Sequence, residues 1–342
     1  MSYFKHIRVS GDAAERGQQQ GELLREEIVA TLKFYQQRIY QFSELSEEAL
    51  RERALRQAEQ IAVLYPVAID ELDAMAAAAG VAPWLLYLLN SRTEILNASI
   101  GECTALCFPE SKIIGQTWDW AKELSSLSVL VEHHYPDGRK LLGFHEAGML
   151  GKIGINSNGL GICLNFLRLK VEGSGVPIHI ISRAVLEADD FLTAQELALK
   201  LGENKSGFLL FADATGESSA FEFAGKQHFE VQTNDRALLH TNHYIAGEVI
   251  GEDPSIMGTH ERLKRAKKII SNDEQRDMAK LKRVLVDRSD GNCSINAPGV
   301  SDATFGNLEF GTVAIVAMDL TARQLHIKGP EADDQFAIFT LS

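Results

Sequence analysis

The chain has 342 residues, 45% of them hydrophobic and 24% charged, which is ordinary globular composition with length enough for a substantial core. Its formal net charge is −13, and an acidic body repels phosphate backbones, so no nucleic-acid partner is expected. No run approaches the ~18 apolar residues of a membrane span and the opening MSYFKHIRVSGDAAERG lacks the apolar core of a secretory signal, so a soluble, cytoplasmic protein with no membrane partner is expected.

The first hundred residues read as helices. Leu24, Ile28, Leu32, Tyr35, Ile39 and Phe42 recur at helical spacing. A second helix starts after Ser46, a suitable N-cap, and runs through Leu50, Ala54, Ile61 and Leu64. Pro66 opens a third, which Gly80 ends, and a fourth begins near Pro83. From Gly101 the pattern changes to short strands separated by turn residues: CTALCFP, KIIGQTWD, LSVLVEHHY, KLLGFHE, KIGIN and GLGICLNFL. Helices at 177–188 and 192–201 follow, then the strands GFLLFADA, SSAFEFA, HFEVQ and ALLHTNHY, with a turn at Asn234-Asp235. Residues 254–286 read as helix, and GTVAIVAMD, QLHIKG and QFAIFTL close the chain as strands. Helices before and between runs of strands predict an α+β fold of sheets covered by helices.

Simpler chemistries are excluded in turn. Four cysteines, at 103, 107, 163 and 293, are too few for a disulfide framework, and C-x3-C with no second pair at finger-like spacing does not predict a structural metal. The histidine pairs His133-His134 and His240/His243 lack a third ligand or an H-E-x-x-H pattern, so no metal and no cofactor is expected. The glycines of GKIGINSNGLG (151–161) fit neither nucleotide-binding pattern; Asn158-Gly159 predicts a hairpin turn instead. There is no G-x-S-x-G elbow. The basic residues from Arg262 to Lys268 read as the solvated face of a helix.

Cys103 remains. Taken alone, a cysteine in an apolar strand is a structural residue. Here it stands at the head of the first strand, after the loop NASIGE, with Asp119 and Asn242 at the ends of other apolar strands. The stretch ECTALCFPESKIIGQTWDW (102–120) resembles the processing site of the acyl-coenzyme A:6-aminopenicillanic acid acyltransferase family, N-terminal-nucleophile cysteine enzymes related to choloylglycine hydrolases and acid ceramidase. Five further segments resemble that family in the same order: ERGQQQGELLREEI, LLNSRTEIL, KIGINSNGLGICLNFL, TNHY and GTVAIVAMD.

The resemblance implies a four-layer αββα sandwich with an N-terminal helical segment. Residues 1–102 would become one chain after self-cleavage at Glu102-Cys103 and residues 103–342 the catalytic chain, the two staying associated as one globular domain, with a homo-oligomer as a further expectation. It also implies an amidohydrolase or acyltransferase acting on small N-acyl amides, of the penicillin or β-alanyl-amine type, or using an acyl donor such as acyl-CoA. Cys103 would supply both the nucleophile and, through its freed α-amino group, the base. Asp119 would tune the amine and thiol, and Asn242 would donate to the oxyanion. Asn165, Gln116 and Trp118 would face the substrate. Three departures stand out. Glu102 replaces the family's glycine, Gln116 replaces an arginine of the bile-salt branch, and Asn296 and Ala297 replace a late I-C-R stretch, for which Arg288 is the nearest substitute. The alternative reading is an uncleaved, non-catalytic small-molecule binder on the same scaffold, or an enzyme held inactive until its processing is triggered.

Overall fold

Ile7 and Val9 alternate with exposed polar residues, and Lys5–Ser10 accordingly forms a strand, β1, parallel to the strand Ser128–His134. The expectation of an all-helical first hundred residues is corrected by this edge strand. The computed structural model describes residues 3–40, 43, 45–96, 102–169, 175–234, 236–247, 258–272, 274–303, 306–330 and 335–341.

Helix α1 (Ala13–Leu23) begins with a capping box between Asp12 and Glu15. It is followed by α2 (Arg25–Phe34) and a π-helical turn, Tyr35–Ile39, in place of the single helix expected from Leu24; Phe42 lies outside the described residues. Ser46 caps α3 (Glu47–Leu64) by accepting from the Ala49 N–H, as its position predicts. Pro66 precedes α4 (Val67–Ala79), and Gly80, at φ +73°, ends it in the left-handed conformation that glycine adopts without strain. α5 (Pro83–Asn90) and α6 (Arg92–Leu96) complete the segment. α1 lies directly on α4: a Cβ on Gly17 would sit 2.1 Å from the Glu71 carbonyl oxygen and one on Gly21 2.4 Å from that of Met75. Only glycine permits so close an approach.

The strands form two sheets. β2 (Glu102–Phe108) and β3 (Ile113–Ala121) belong to one. β4 (Ser128–His134), β5 (Lys140–Glu146), β6 (Ile153–Asn156) and β7 (Gly161–Asn165) run antiparallel in the other, with the β6–β7 hairpin turning at Asn158-Gly159, where Gly159 has φ +84°. After α7 (Ile178–Leu186) and α8 (Phe191–Leu201), β8 (Lys205–Ala212), β9 (Ser218–Gly225) and β10 (Gln227–Glu230) extend that sheet to eight strands, ordered β1-β4-β5-β6-β7-β8-β9-β10. The turn expected at Asn234-Asp235 carries reciprocal backbone bonds between Asn234 and Ala237, and Asp235 itself lies outside the described residues.

β11 (Leu238–His240), shorter than ALLHTNHY suggested, joins the first sheet. The single helix expected at 254–286 is two, α9 (Thr259–Ser271) and α10 (Met278–Leu285), with 251–257 outside the described residues. β12 (Val300–Asp302), β13 (Leu308–Asp319), β14 (Gln324–Lys328) and β15 (Ala337–Thr340) complete this sheet, ordered β11-β2-β3-β13-β14-β15 with β12 on β13.

Alternation assigns the faces. Cys103, Ala105 and Cys107 point between the sheets with Ile114 and Trp118, while Leu106, Phe108 and Ile113 point outward under α9 and α10. On the far face of the eight-stranded sheet, α7, α8 and the N-terminal helices form the outer cover. The layers are therefore α, β, β, α, the sandwich that the resemblance implies. Among the described residues no helix is long and apolar enough to cross a membrane, and no group of three or more His, Cys, Asp or Glu is placed to hold a metal ion.

Candidate active site

Cross-strand pairing of β2 with β3 sets Glu102 opposite Asp119, Cys103 opposite Trp118 and Ala105 opposite Gln116. Cys103, Trp118, Gln116 and Asp119 line one narrow cavity of about 40 Å³ together with Asn165 at the end of β7, Lys152 just before β6, and Arg92 at the head of α6. A space of that size holds about three waters. The structure thus brings together Cys103, Asp119, Trp118, Gln116 and Asn165. Of Glu102 only the backbone is described.

Hydrogen bonds fix the cysteine from both sides. Its backbone N–H donates to Asn242 Oδ1 at 2.7 Å, and its carbonyl accepts from Arg262 Nη1 at 2.7 Å and from Asn165 Nδ2 at 2.9 Å. Asn242 is itself clamped: Arg262 Nη2 donates to the same Oδ1 at 2.9 Å, its Nδ2 donates to the Phe166 carbonyl at 2.9 Å, and its N–H donates to Thr259 Oγ1 at 2.8 Å. In the continuous chain Asn242 therefore holds the Cys103 nitrogen. Gln116 ties the sheets together, accepting from the Leu164 N–H at 2.8 Å and donating to the Leu164 carbonyl at 3.2 Å. Thr312 Oγ1, on β13, donates to Asp119 Oδ1 at 2.6 Å.

Burial pushes the Cys103 thiol up to about 12, and the Asp119 carboxylate adds to that shift. The Asp119 N–H, Lys152 and Arg262 oppose it. Uncut and closed in, the thiol is protonated at neutral pH.

Sequence reasoning missed three charged groups here. Arg262 was read with a solvated face, yet it is fully buried; Lys264, Lys267 and Lys268 are the exposed ones. Arg262 shares its helix face with Leu263, Ala266, Ile269 and Ile270, and that apolar spacing is the signal that places it inside. The second and third are Arg92 and Lys152, which converge on Glu146 at the end of β5. Arg92 Nη2 donates to Oε1 at 2.9 Å, Lys152 Nζ to Oε2 at 2.5 Å, and the Tyr35 hydroxyl to Oε1 at 3.0 Å. Arg92 lies over the Trp120 ring at 4.8 Å and Lys152 over Trp118 at 3.4 Å. Arg288, the nearest sequence substitute for a late arginine, is exposed, bonds the Pro330 carbonyl and does not line the cavity.

The histidine pairs have other partners. His240 Nε2 bonds Glu222 at 2.9 Å and stacks on Phe208, and His243 Nδ1 bonds Thr259 Oγ1 at 2.8 Å. His133 packs against Arg183 and Glu71, while His134 bonds Glu132.

The chain is 26% identical over 249 residues, 70% of its own length and 69% of the other's, to the 40 kDa form of acyl-coenzyme A:6-aminopenicillanic-acid-acyltransferase from Emericella nidulans. Among solved structures it is similar to a conjugated bile acid hydrolase variant from Clostridium perfringens, at 13% identity over 71% of this chain and 92% of that one, TM-score 0.49. It is also similar to a penicillin V acylase from Agrobacterium tumefaciens, at 14% identity over 67% and 83%, TM-score 0.43. A sequence profile matches residues 107–329, a stretch that starts just after Cys103 and spans about two thirds of the chain, and by that match the chain belongs to the acyl-coenzyme A:6-aminopenicillanic acid acyl-transferase family.

Proposed function

We propose that this chain is an N-terminal-nucleophile cysteine amidohydrolase or acyltransferase that matures by cutting itself between Glu102 and Cys103. In the first step Cys103 Sγ attacks the Glu102 carbonyl carbon and the Cys103 nitrogen leaves with a proton, which converts the peptide bond to a thioester. Water then cleaves the thioester, leaving a carboxylate on Glu102, a free thiol and a free α-amino group on Cys103. That amine, with an ordinary pKa near ~7.7–8.0, exchanges protons with the thiol beside it. In turnover the thiol attacks the carbonyl of a small N-acyl amide, the amine departs protonated, and the acyl thioester passes its acyl group to water or to a second amine.

The observation that carries this reading is the hold on Cys103. Its nitrogen rests on Asn242 Oδ1 at 2.7 Å, with its side chain in the cavity beside Asp119. The same contact would orient the freed amine.

A second reading, an uncleaved small-molecule binder, draws on the high pKa of the buried thiol and on Glu102 in place of glycine. Intact mass of the denatured protein beside Cys103→Ala decides. Two pieces meeting at Glu102/Cys103 in wild type and one in the variant are expected. An uncut wild type with an unreactive Cys103 would replace the enzyme by the binder.

A further inference from the structure

Thr312 stands on β13 directly across from Asp119 on β3, and both residues are fully buried. Its hydroxyl is committed in both directions. Thr312 Oγ1 accepts from the Ala297 N–H at 2.8 Å, so its single proton is left for Asp119 Oδ1 at 2.6 Å. That length is typical of a hydroxyl donating to a carboxylate, a charge-assisted bond. The branched side chain of threonine is stiff at χ1, so the donor is aimed before any substrate arrives.

The aim is set by the loop that leads into β12. The Thr312 N–H donates to the Ala297 carbonyl at 3.1 Å, which closes a two-point clamp between that loop and β13. The loop lies directly on the strand: a Cβ on Gly311 would sit 2.9 Å from Gly299 Cα and 3.2 Å from the Ala297 carbonyl oxygen. Asn296 and Ala297 occupy the place where the resemblance expects a late arginine. What Ala297 supplies there is its backbone, used to orient Thr312.

Thr312 is not among the residues lining the cavity, whereas Asp119 is. The β2–β3 register puts Asp119 across from Glu102, beside the proposed cutting point, and its N–H and its carboxylate both act on the Cys103 thiol. We infer that Thr312 is a positioning residue for the chemistry of Cys103, holding the Asp119 carboxylate in one rotamer so that it meets the thiol and the freed amine in a fixed geometry. This rests on the reading of Cys103 as nucleophile.

The test uses the full chain. Thr312→Val keeps the shape of the side chain and loses the hydroxyl, and Thr312→Ser keeps the hydroxyl. Cutting is followed by intact mass, and turnover of the matured proteins is measured on a panel of acyl p-nitroanilides. Thr312→Val should lower kcat about tenfold to a hundredfold with KM unchanged within about twofold, the size of effect that a small misplacement of a reacting group produces. Thr312→Ser should recover most of that loss. In an Asp119→Ala background Thr312→Val should cost little more, since the hydroxyl acts through the carboxylate. If wild type cuts itself but turns over no member of the panel, the rate of cutting is read in place of kcat by the same criteria.

A Thr312→Val protein with wild-type kcat, a loss that Thr312→Ser shares, or a loss that persists in full beside Asp119→Ala would overturn the inference. Should Thr312→Val misfold, Thr312→Ala is read in its place. Failure of both to fold, beside a folded Thr312→Ser, would make the hydroxyl a structural group and overturn the inference as well. The two readings fail differently. A wild type that stays uncut and inert, or that keeps its activity in Cys103→Ala, fails at the nucleophile and takes this inference with it; a cut, active wild type beside an unaffected Thr312→Val fails at the inference alone.

Discussion

Replacing Glu146 by glutamine tests whether the buried charge cluster is what holds the cavity together. Glutamine keeps the shape of the side chain and removes its charge, leaving Arg92 and Lys152 without the carboxylate they share. The native carboxyl is held well below the usual carboxylate range by Arg92 and Lys152 despite its burial, so it is ionised at neutral pH. Removing one partner of a buried ion cluster costs about 3–5 kcal/mol. With an unfolding entropy of about 2.1 cal/mol/K per residue over 342 residues, that loss lowers Tm by about 4–7 °C. Differential scanning calorimetry of Glu146→Gln beside Glu309→Gln provides the comparison. Glu309 pairs with Lys122 at 3.1 Å but is half exposed, so its loss should fall within about 0.5 kcal/mol. Adding Lys152→Met to Glu146→Gln should recover part of the loss, because the two residues are directly coupled. A Glu146→Gln protein melting within about one degree of wild type would refute the argument that this cluster is uncompensated without its carboxylate.

Other expectations follow from the same contacts. Asn242→Ala should lower kcat by about 10²-fold while the protein stays folded, because the Cys103 nitrogen loses the acceptor that positions it; unchanged turnover in an N-acyl amide assay would remove Asn242 from the machinery. His145 is buried and brought down to about 4 by that burial, so its neutral form belongs to the folded state. Its contribution is complete above the ordinary histidine value near ~6.5 and is lost as pH falls toward 4. Melting temperature should therefore drop steeply across that window, and a flat profile would contradict the buried neutral ring.

How much of this was legible in the sequence depends on what kind of contact each residue makes. Cys103, Asp119 and Asn242 each stood at the end of an apolar run, but their roles came from the resemblance; β2 and β3 are neighbours in sequence, so their pairing follows from the short turn between them. Asn242 rested on resemblance, since nothing local shows that it reaches a strand 139 residues away. The misreading of Arg262 has a physical cause. Its neighbours Lys264, Lys267 and Lys268 are solvated, and a charge run hides one member that turns inward with the apolar stripe. Lys152 sat in a glycine-rich hairpin whose turn was read correctly while its lysine went unassigned. Arg92 and Glu146 are 54 residues apart, and no periodicity links them. β1 escaped notice because an edge strand buries only alternate residues, and Ile7 and Val9 alone give a weak signal.

The division of the charge clusters between the two segments bears on what self-cleavage would do. Arg16 and Glu71 from the N-terminal segment meet Arg183 on α7, with Arg16 Nη2 to Glu71 Oε2 at 2.9 Å and Arg183 Nη2 to Glu71 Oε2 at 3.0 Å. Glu187 accepts from Arg183 Nε at 2.6 Å, from Tyr135, and from Tyr65 of the N-terminal segment, so two arginines are balanced by two glutamates out of water. The second tie is Tyr35 and Arg92 on Glu146, and the third is β1 hydrogen-bonded along its length to β4. Separating the segments would leave each of these groups buried without a partner or would expose them together, so cutting one peptide bond should not release the first hundred residues. Gel filtration of the matured protein in neutral buffer should give both pieces in one peak, and Arg183→Met should weaken that association by leaving Glu71 and Glu187 short of a cation. An N-terminal piece that elutes alone without denaturant would show that these contacts do not outlast the bond.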